Sequence, residues 1–430
     1  MKKIFCLLII LFLCYGCYYY YDNYLIKISG SDKDIEVDLV SSLYNKINDE
    51  TITIDFIKWV DSNYKGSIKK FDSILSNNKY DITMWHDVTG YSYIVLDDLY
   101  NNRYESMDNV IIVNSNNLST LSFVGDISLA DDWAIAPKYD ERGGINGILS
   151  DDVLDIMKNS TLMVANSEFT VSNRGNRLPG KLYTFRAKPE RLAIYSEMGV
   201  DLVTLANNHV YDYGEDAFLD MLDEFNNYKI PHIGAGHNIE EARKPFYFII
   251  NGYKFAFLSA TRAEKYIMTP GATEDSLGVF RCYDPSLMIN TIKEIKDTSD
   301  FVIPIIHFGR EGSHELEEEQ INSARAYIDA GAFAVIGHHA HNLQGLEYYN
   351  NKLIVYNLGN FIFNDMDDDT AIFQIRIDSK GNFEYYIIPA LQSNCYTKLL
   401  YDDEKQRVIN DLNSWSINTF IDNNGKISVK

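Results

Sequence analysis

Cationic side chains are scarce in this chain of 430 residues: 39 Lys and Arg stand against 61 Asp and Glu, a formal net charge of −22. Nothing offsets repulsion from phosphate backbones, so no nucleic acid is expected as a partner. Cysteine is sparse too, five residues in all. Cys6 and Cys14 fall in an apolar leader and Cys17 directly after it. Cys282 and Cys395 remain, too few for a disulfide framework. There is no G-x-S-x-G elbow, and neither remaining cysteine stands near a motif histidine, so serine and cysteine nucleophiles read poorly. P-loop and dinucleotide fingerprints are missing, and no internal repeat is evident. The leader's apolar run, Ile4 to Leu13, is too short to span a bilayer as an ordinary helix.

That run comes after Met1-Lys2-Lys3 and leads to Gly16-Cys17, the pattern of a secretory signal peptide over residues 1–16. The ending LFLCYGC resembles a bacterial lipoprotein signal. It implies lipid modification of Cys17 and an anchor on the extracellular face of the cell membrane, with plain secretion, or retention of the leader as an anchor, as the alternatives. Residues 17–30 read as a tether. Across residues 31–115, helical patterns (Ile35–Ile47, Ile68–Leu75) alternate with strand-like ones (Ile52–Phe56, Tyr80–Met84). This predicts a small α/β domain, to which the sequence assigns no role.

The hydrophobic fraction of 46% supplies a packed core. From Leu121 onward, short apolar runs alternate with amphipathic helices. Helices are expected from Asp151, from Pro189, from Gly214, over Asp284–Lys296 and around Ile321, Ala324 and Ile328. Ala371–Pro389 reads as a hairpin turning at Ser379–Asn382. Residues 396–430 read as a polar tail.

Each apolar run ends in residues able to do chemistry. Leu121–Val124 is succeeded by Gly125-Asp126, and Leu162–Ala165 by Asn166-Ser167-Glu168. Leu202–Ala206 leads to Asn207-Asn208-His209, and Phe301–Ile306 to His307 through Glu311. Ala332–Ile336 delivers His338, His339 and His341. Ligands collect at the carboxyl ends of strands in α/β folds, so five such endings point to one convergent site. His339 and His341 are two apart, and in an extended segment they would share a face. Carboxylates, an amide oxygen and imidazoles form a mixed N/O donor set that suits Mn, Fe or Zn rather than Ca.

Several stretches carry a family pattern in order: FVGDISL, ANSEF, FRAKPERL, LANNHVYDYG, GAGHNIEEARKP, HFGREG and GHHAHNLQGLEYYNNKLIVYNLGNFIF. The chain from about Leu121 to Pro389 resembles the bacterial capsule-synthesis CapA family, which includes poly-γ-glutamate capsule proteins. The resemblance implies a calcineurin-like metallophosphoesterase core, an α-β-β-α sandwich, over residues 118–395. It further implies one or two divalent metals. Asp126, Glu168 and His341 would hold one; Glu168, Asn208, His307 and His339 would hold the other. His209 would be the acid or transition-state stabiliser. Ala340 stands where the family usually has proline, and Asn357 where serine is common. The parent phosphoesterases end their first strand in D-x-H, whereas here Ser128 replaces that histidine and Glu168 replaces the second motif's aspartate.

Arg186 is a candidate for gripping an anionic substrate group, with an ordinary salt bridge as the alternative. Glu311 is a candidate substrate contact or one half of a surface pair with Arg310. His338 is left out of the ligand set, as a residue facing into the sheet. The run Asp365–Asp369 reads as a solvated acidic turn. Two functions fit these residues. One is a membrane-anchored, metal-dependent hydrolase acting on a phosphoester or a cell-envelope polymer linkage. The other is a non-catalytic surface component that binds or exports an anionic capsule polymer, within a membrane capsule-synthesis complex.

Overall fold

A computed structural model describes residues 81–86, 92–97, 110–113, 118–250, 253–264, 268–378 and 381–430. The expected signal peptide, Cys17, the tether and the helices at 35–47 and 68–75 lie outside the described residues. Of the expected N-terminal domain, Asp81–His86 pairs antiparallel with Ser92–Asp97, and Val110–Val113 is a further strand. The larger compact unit comprises Asn117–Tyr247 and Phe255–Lys430 and holds every candidate site residue except Cys17.

Two mixed sheets build this unit. In the first, the strands Tyr253–Thr261, Phe301–Phe308, Ala334–His339 and Lys352–Val355 run parallel, and Leu346–Tyr349 closes one edge antiparallel. In the second, Leu118–Ile127, Leu162–Ser167, Leu202–Thr204 and His232–Ile233 run parallel. The long hairpin Asp368–Asp378 and Phe383–Ser393 adds antiparallel strands beside Leu118–Ile127.

The sheets face each other through aromatic rings. Phe123 lies 6.4 Å from Phe257, and Phe301 lies 4.8 Å from Phe383, centroid to centroid. Strand side chains alternate between faces, so Val124, next to Phe123, joins the opposite core. There the helices Asp151–Asn159, Ala193–Met198 and Glu215–Asn227 cover the second sheet with Met157, Met198, Phe218, Met221 and Phe225. Each such fully buried side chain contributes about 1.5–3 kcal/mol of transfer free energy. Ser286–Ile295 and Glu318–Ala330 pack on each other, and the latter lies against the strand Ala334–His339 of the first sheet. The architecture is the expected α-β-β-α sandwich.

The helix expected from Pro189 begins as a 3-10 turn, Pro189–Leu192, and continues as Ala193–Met198 until Gly199 stops it at φ 74°. Residues 396–430, read from sequence as a tail, instead join the second sheet. Tyr396–Leu399 and Lys426–Val429 pair with Phe383–Ser393, and the helix Asp402–Trp415 buries Val408, Ile409 and Leu412. Those three apolar positions lie on one helical face. Cys282 and Cys395 are free, buried thiols.

Candidate metal centre

Strand ends from both sheets meet at one place. Gly125 lets the chain between Asn357 and Asn360 approach the Asp126 strand, since a Cβ at Gly125 would stand 1.9 Å from the Gly359 carbonyl oxygen. The Asp126 amide donates to that carbonyl at 2.9 Å. On the other sheet His307 and Phe308 lie in register with His338 and His339, so three imidazoles leave adjacent strands together. His339 and His341 take φ of 92° and 60°. The segment is therefore a turn rather than extended, and both rings still reach the site.

Glu168 is the centre of the cluster. Its carboxylate is fully buried, and Oε1 has no hydrogen-bond donor. Around that oxygen stand His307 Nε2 at 3.5 Å, His341 Nε2 at 3.7 Å and His209 Nε2 at 3.9 Å. His307 Nε2 also lies 2.8 Å from Asn208 Oδ1. A buried carboxylate oxygen without a donor is normally a heavy loss. Here imidazole nitrogens surround it, one of them in contact with an amide oxygen, a ligand set that would suit a divalent cation. Two groups have their ligand atoms mutually within 4.8 Å: Glu168–His339–His341 and Asp126–Glu168–His307. The grouping implied by the family resemblance is also drawn together: His341 Nδ1 lies 3.5 Å from Asp126 Oδ2, and the His307 and His339 rings lie 4.6 Å apart.

Asp126 is held by protein donors on both oxygens. Oδ1 accepts from Asn166 Nδ2 at 2.8 Å, and Oδ2 accepts from the His339 amide at 3.2 Å. His338, assigned to the sheet interior from sequence, is buried with Nδ1 3.1 Å from Asp126 Oδ1. Burial pushes the Asp126 carboxyl up, but His338, His341 and Asn166 outweigh it and bring it below the ordinary carboxylate range. Burial together with the like charges of Asp126, Glu311 and Asp212 holds Glu168 well above that range. Burial acts in the opposite direction on the His339 and His307 imidazoles. His339 is pushed down to about 3, with His341 adding to the effect, and His307 falls well below its usual value.

The remaining histidines are oriented from behind. His341 Nδ1 lies 2.8 Å from Asn360 Oδ1, whose amide nitrogen donates to Asp368 at 3.1 Å. That acceptor places the proton on Nδ1 and leaves Nε2 as the ligand atom. His209 Nδ1 lies 2.7 Å from Asp212 Oδ2, and the ring packs 4.2 Å from Phe185. Burial lowers the His209 pKa although Asp212 opposes it. Lys181, buried on the segment before Phe185, pairs with Asp212 and Glu264, each at 2.8 Å.

The substrate candidates sit differently. Glu311 lies at the exposed rim, 3.8 Å from His339 Nε2. Arg186 stacks on Tyr213 at 4.1 Å and donates to the carbonyls of Arg174 and Gly175. It is thereby occupied by its own surroundings rather than by the cluster. The acidic run is solvated in its first half, where Asp365 and Asp367 are exposed; beyond it Asp368 holds Asn360, and Asp369 holds Arg407 through two bonds of 2.6 and 2.7 Å. Sequence reasoning missed Asn166, Lys181, Asp212 and Asn360 as parts of this centre. Asn166 and Asp212 do lie inside the ANSEF and LANNHVYDYG stretches, but nothing in spacing separates them from ordinary loop polar residues.

Known proteins match the same region. The model of the family described as bacterial capsule synthesis protein PGA_cap matches residues 120–365. The chain is similar to the PGA biosynthesis protein CapA of Bacillus subtilis, 30% identical over 64% of this chain and 72% of that protein. It is also similar to the capsule biosynthesis protein CapA of Bacillus anthracis, 28% identical over 63% of this chain and 66% of that one. A probable polyglutamine synthesis accessory protein of Mycobacterium tuberculosis is 24% identical over 49% of this chain and 58% of its own length. With the family model matched across most of the sandwich and the site, the chain belongs to the bacterial capsule synthesis protein family.

Proposed function

We propose that the protein is a metal-dependent hydrolase of capsule or cell-envelope polymer biosynthesis, acting on a phosphoester or a polymer linkage outside the cell. The observation that carries this is Glu168 Oε1, buried without a donor and ringed by three imidazole nitrogens at 3.5 to 3.9 Å. Glu168, His339, His341, His307, Asn208 and Asp126 would between them hold one or two divalent cations (Mn, Fe or Zn). When bound, such an ion polarises a phosphoryl or carbonyl oxygen and acidifies water.

The chain's own residues supply the rest. His209, with Nδ1 fixed on Asp212 and a free Nε2 facing Glu168, is placed to take a proton from the attacking water at Nε2 and pass it on to the leaving oxygen. Phe185 against one side of the imidazole, and Lys181 on Asp212, hold that geometry in a dry wall. Glu311 at the rim meets substrate. The relatives' names speak of PGA and capsule biosynthesis, which supports an anionic polymer as partner and a membrane complex as the setting. Lipidation of Cys17 would anchor the protein on the outer face of the membrane.

A second reading, binding or export of polymer without chemistry, is favoured by Ser128, which stands where the parent phosphoesterases carry a ligand histidine. Metal content separates the two. Protein purified with manganese supplied is expected to retain metal, and a Glu168→Ala, His339→Ala double variant is expected to lose it. A folded parent without metal would leave the binding role.

A further inference from the structure

The two candidate ligand groups differ in what lies between their atoms. Asn166 Nδ2 is 2.8 Å from Asp126 Oδ1, 3.2 Å from Glu168 Oε2 and 3.4 Å from His307 Nδ1. One amide nitrogen therefore touches every member of the Asp126–Glu168–His307 group. Its two N–H bonds are directed to the two carboxylates, which with His307 are the residues that would hold a second cation.

The orientation of this amide is fixed by its neighbours. Asn166 Oδ1 accepts from the Thr204 hydroxyl at 3.0 Å and from Asn207 Nδ2 at 3.2 Å. Asn207 cannot turn either: its Nδ2 donates to the Ser167 carbonyl at 2.8 Å, and its Oδ1 accepts the His209 amide at 3.0 Å. A flipped Asn166 would set its oxygen against the Asp126 carboxylate and its NH2 against the Asn207 NH2, like groups facing each other in a buried site. Asn166, Thr204 and Asn207 are all buried, so water offers no relief.

The other group is open. Glu168 Oε1 and His339 Nδ1 have no hydrogen-bond partner, whereas both oxygens of Asp126 are taken by Asn166 and the His339 amide. Ser128, two residues beyond Asp126, is buried with its hydroxyl unpaired and offers no imidazole.

Resting on the metal-centre reading, we propose that this chain holds a single divalent cation on the Glu168–His339–His341 side, and that the Asn166 amide takes the place of a second. Glu168 is then a terminal ligand whose other oxygen is braced by Asn166, and Asp126 is a positioning residue for that brace and for the His339 backbone.

The test is manganese stoichiometry of the full-length protein, stripped with chelator and reloaded, counted by elemental analysis and read by electron paramagnetic resonance. The parent is expected to bind one ion per chain with the six-line spectrum of isolated manganese. Asn166→Asp, which replaces the amide by a carboxylate, is expected to bind two, with an exchange-coupled spectrum. Two coupled ions in the parent would overturn the proposal while leaving the metal-centre reading intact; no ion in a folded parent would overturn both. A folded Asn166→Asp protein that stays at one ion would overturn the placeholder role. Should that variant not fold, Asn166→Ala frees the same ligands without adding charge and is expected to admit a second, weaker ion; one ion there also counts against the proposal.

Discussion

His338 Nδ1 lies 3.1 Å from Asp126 Oδ1, a contact between the two sheets of the sandwich, while the amide of the next residue, His339, bonds the other oxygen of the same carboxylate. Asp126 thus clasps the sheets together where the cluster forms. Replacing His338 by Ala leaves the proposed ligands in place and loosens their support. Such supporting contacts typically change metal affinity by about 10- to 100-fold. Calorimetric titration with manganese is expected to show a loss in that range for His338→Ala, and an unchanged affinity would contradict the clasp.

His209 is expected to separate binding from chemistry. His209→Ala should keep the metal and lower turnover on the order of 10²- to 10⁴-fold, the usual contribution of a positioned acid or base. Asp212→Asn should also lower turnover, because an amide, able to donate as well as accept, no longer enforces the proton on Nδ1 as the carboxylate does. Metal content measured beside the rate checks both, and loss of metal in His209→Ala would move that residue into the ligand set.

The metal-free protein should be acid-sensitive. His209, His307 and His339 all have depressed values in the fold, through burial first. Below their ordinary value, about pH 6.5, the unfolded chain binds more protons than the native one. Their contribution is therefore present above that pH and lost as pH falls. Glu168, raised by burial, works in the opposite sense: its contribution is present below the ordinary carboxylate range and lost as pH rises through its elevated value. Three imidazoles outweigh one carboxylate in the window between. Melting temperature in chelator is expected to drop from about pH 7 to about pH 5.5, and a flat or rising profile would contradict the neutral cluster.

Gly125 tests the scaffold. A Cβ there would collide with the Gly359 carbonyl at 1.9 Å, and the nearest atoms are all backbone of Leu358 and Gly359, with no flexible side chain to yield. Gly125→Ala is expected to destabilise by about 1–3 kcal/mol or more, as overpacking does. It should also weaken metal binding, because Asn360 orients His341. Urea denaturation gives the first quantity and manganese titration the second.

The sandwich was legible because its strands are continuous apolar runs buried on both faces, such as Leu162–Ala165 and Phe301–Ile306, each giving way at once to polar residues. The site was legible for the same reason: Asp126, Glu168, Asn208, His209, His307, His339 and His341 all stand at those boundaries, and the structure gathers them. The turn that carries His339 and His341 was not legible, since positive φ there leaves no mark in spacing. Nor was the role of Asn166, whose bonds reach Asp126 and His307, 40 and 141 residues away in sequence. The last residues read as a tail because their apolar positions, Val408, Ile409 and Leu412, are few, and only the waiting sheet shows what they cover.

The most direct test of the central claim is turnover of a generic phosphodiester by the purified protein with and without manganese, beside the Glu168→Ala, His339→Ala double variant. Manganese-dependent hydrolysis is expected from the parent, and none above background from the folded variant. Equal rates in the two proteins, or no hydrolysis by a parent shown to hold its metal across phosphodiester and capsule-polymer substrates, would contradict a hydrolytic centre built on Glu168.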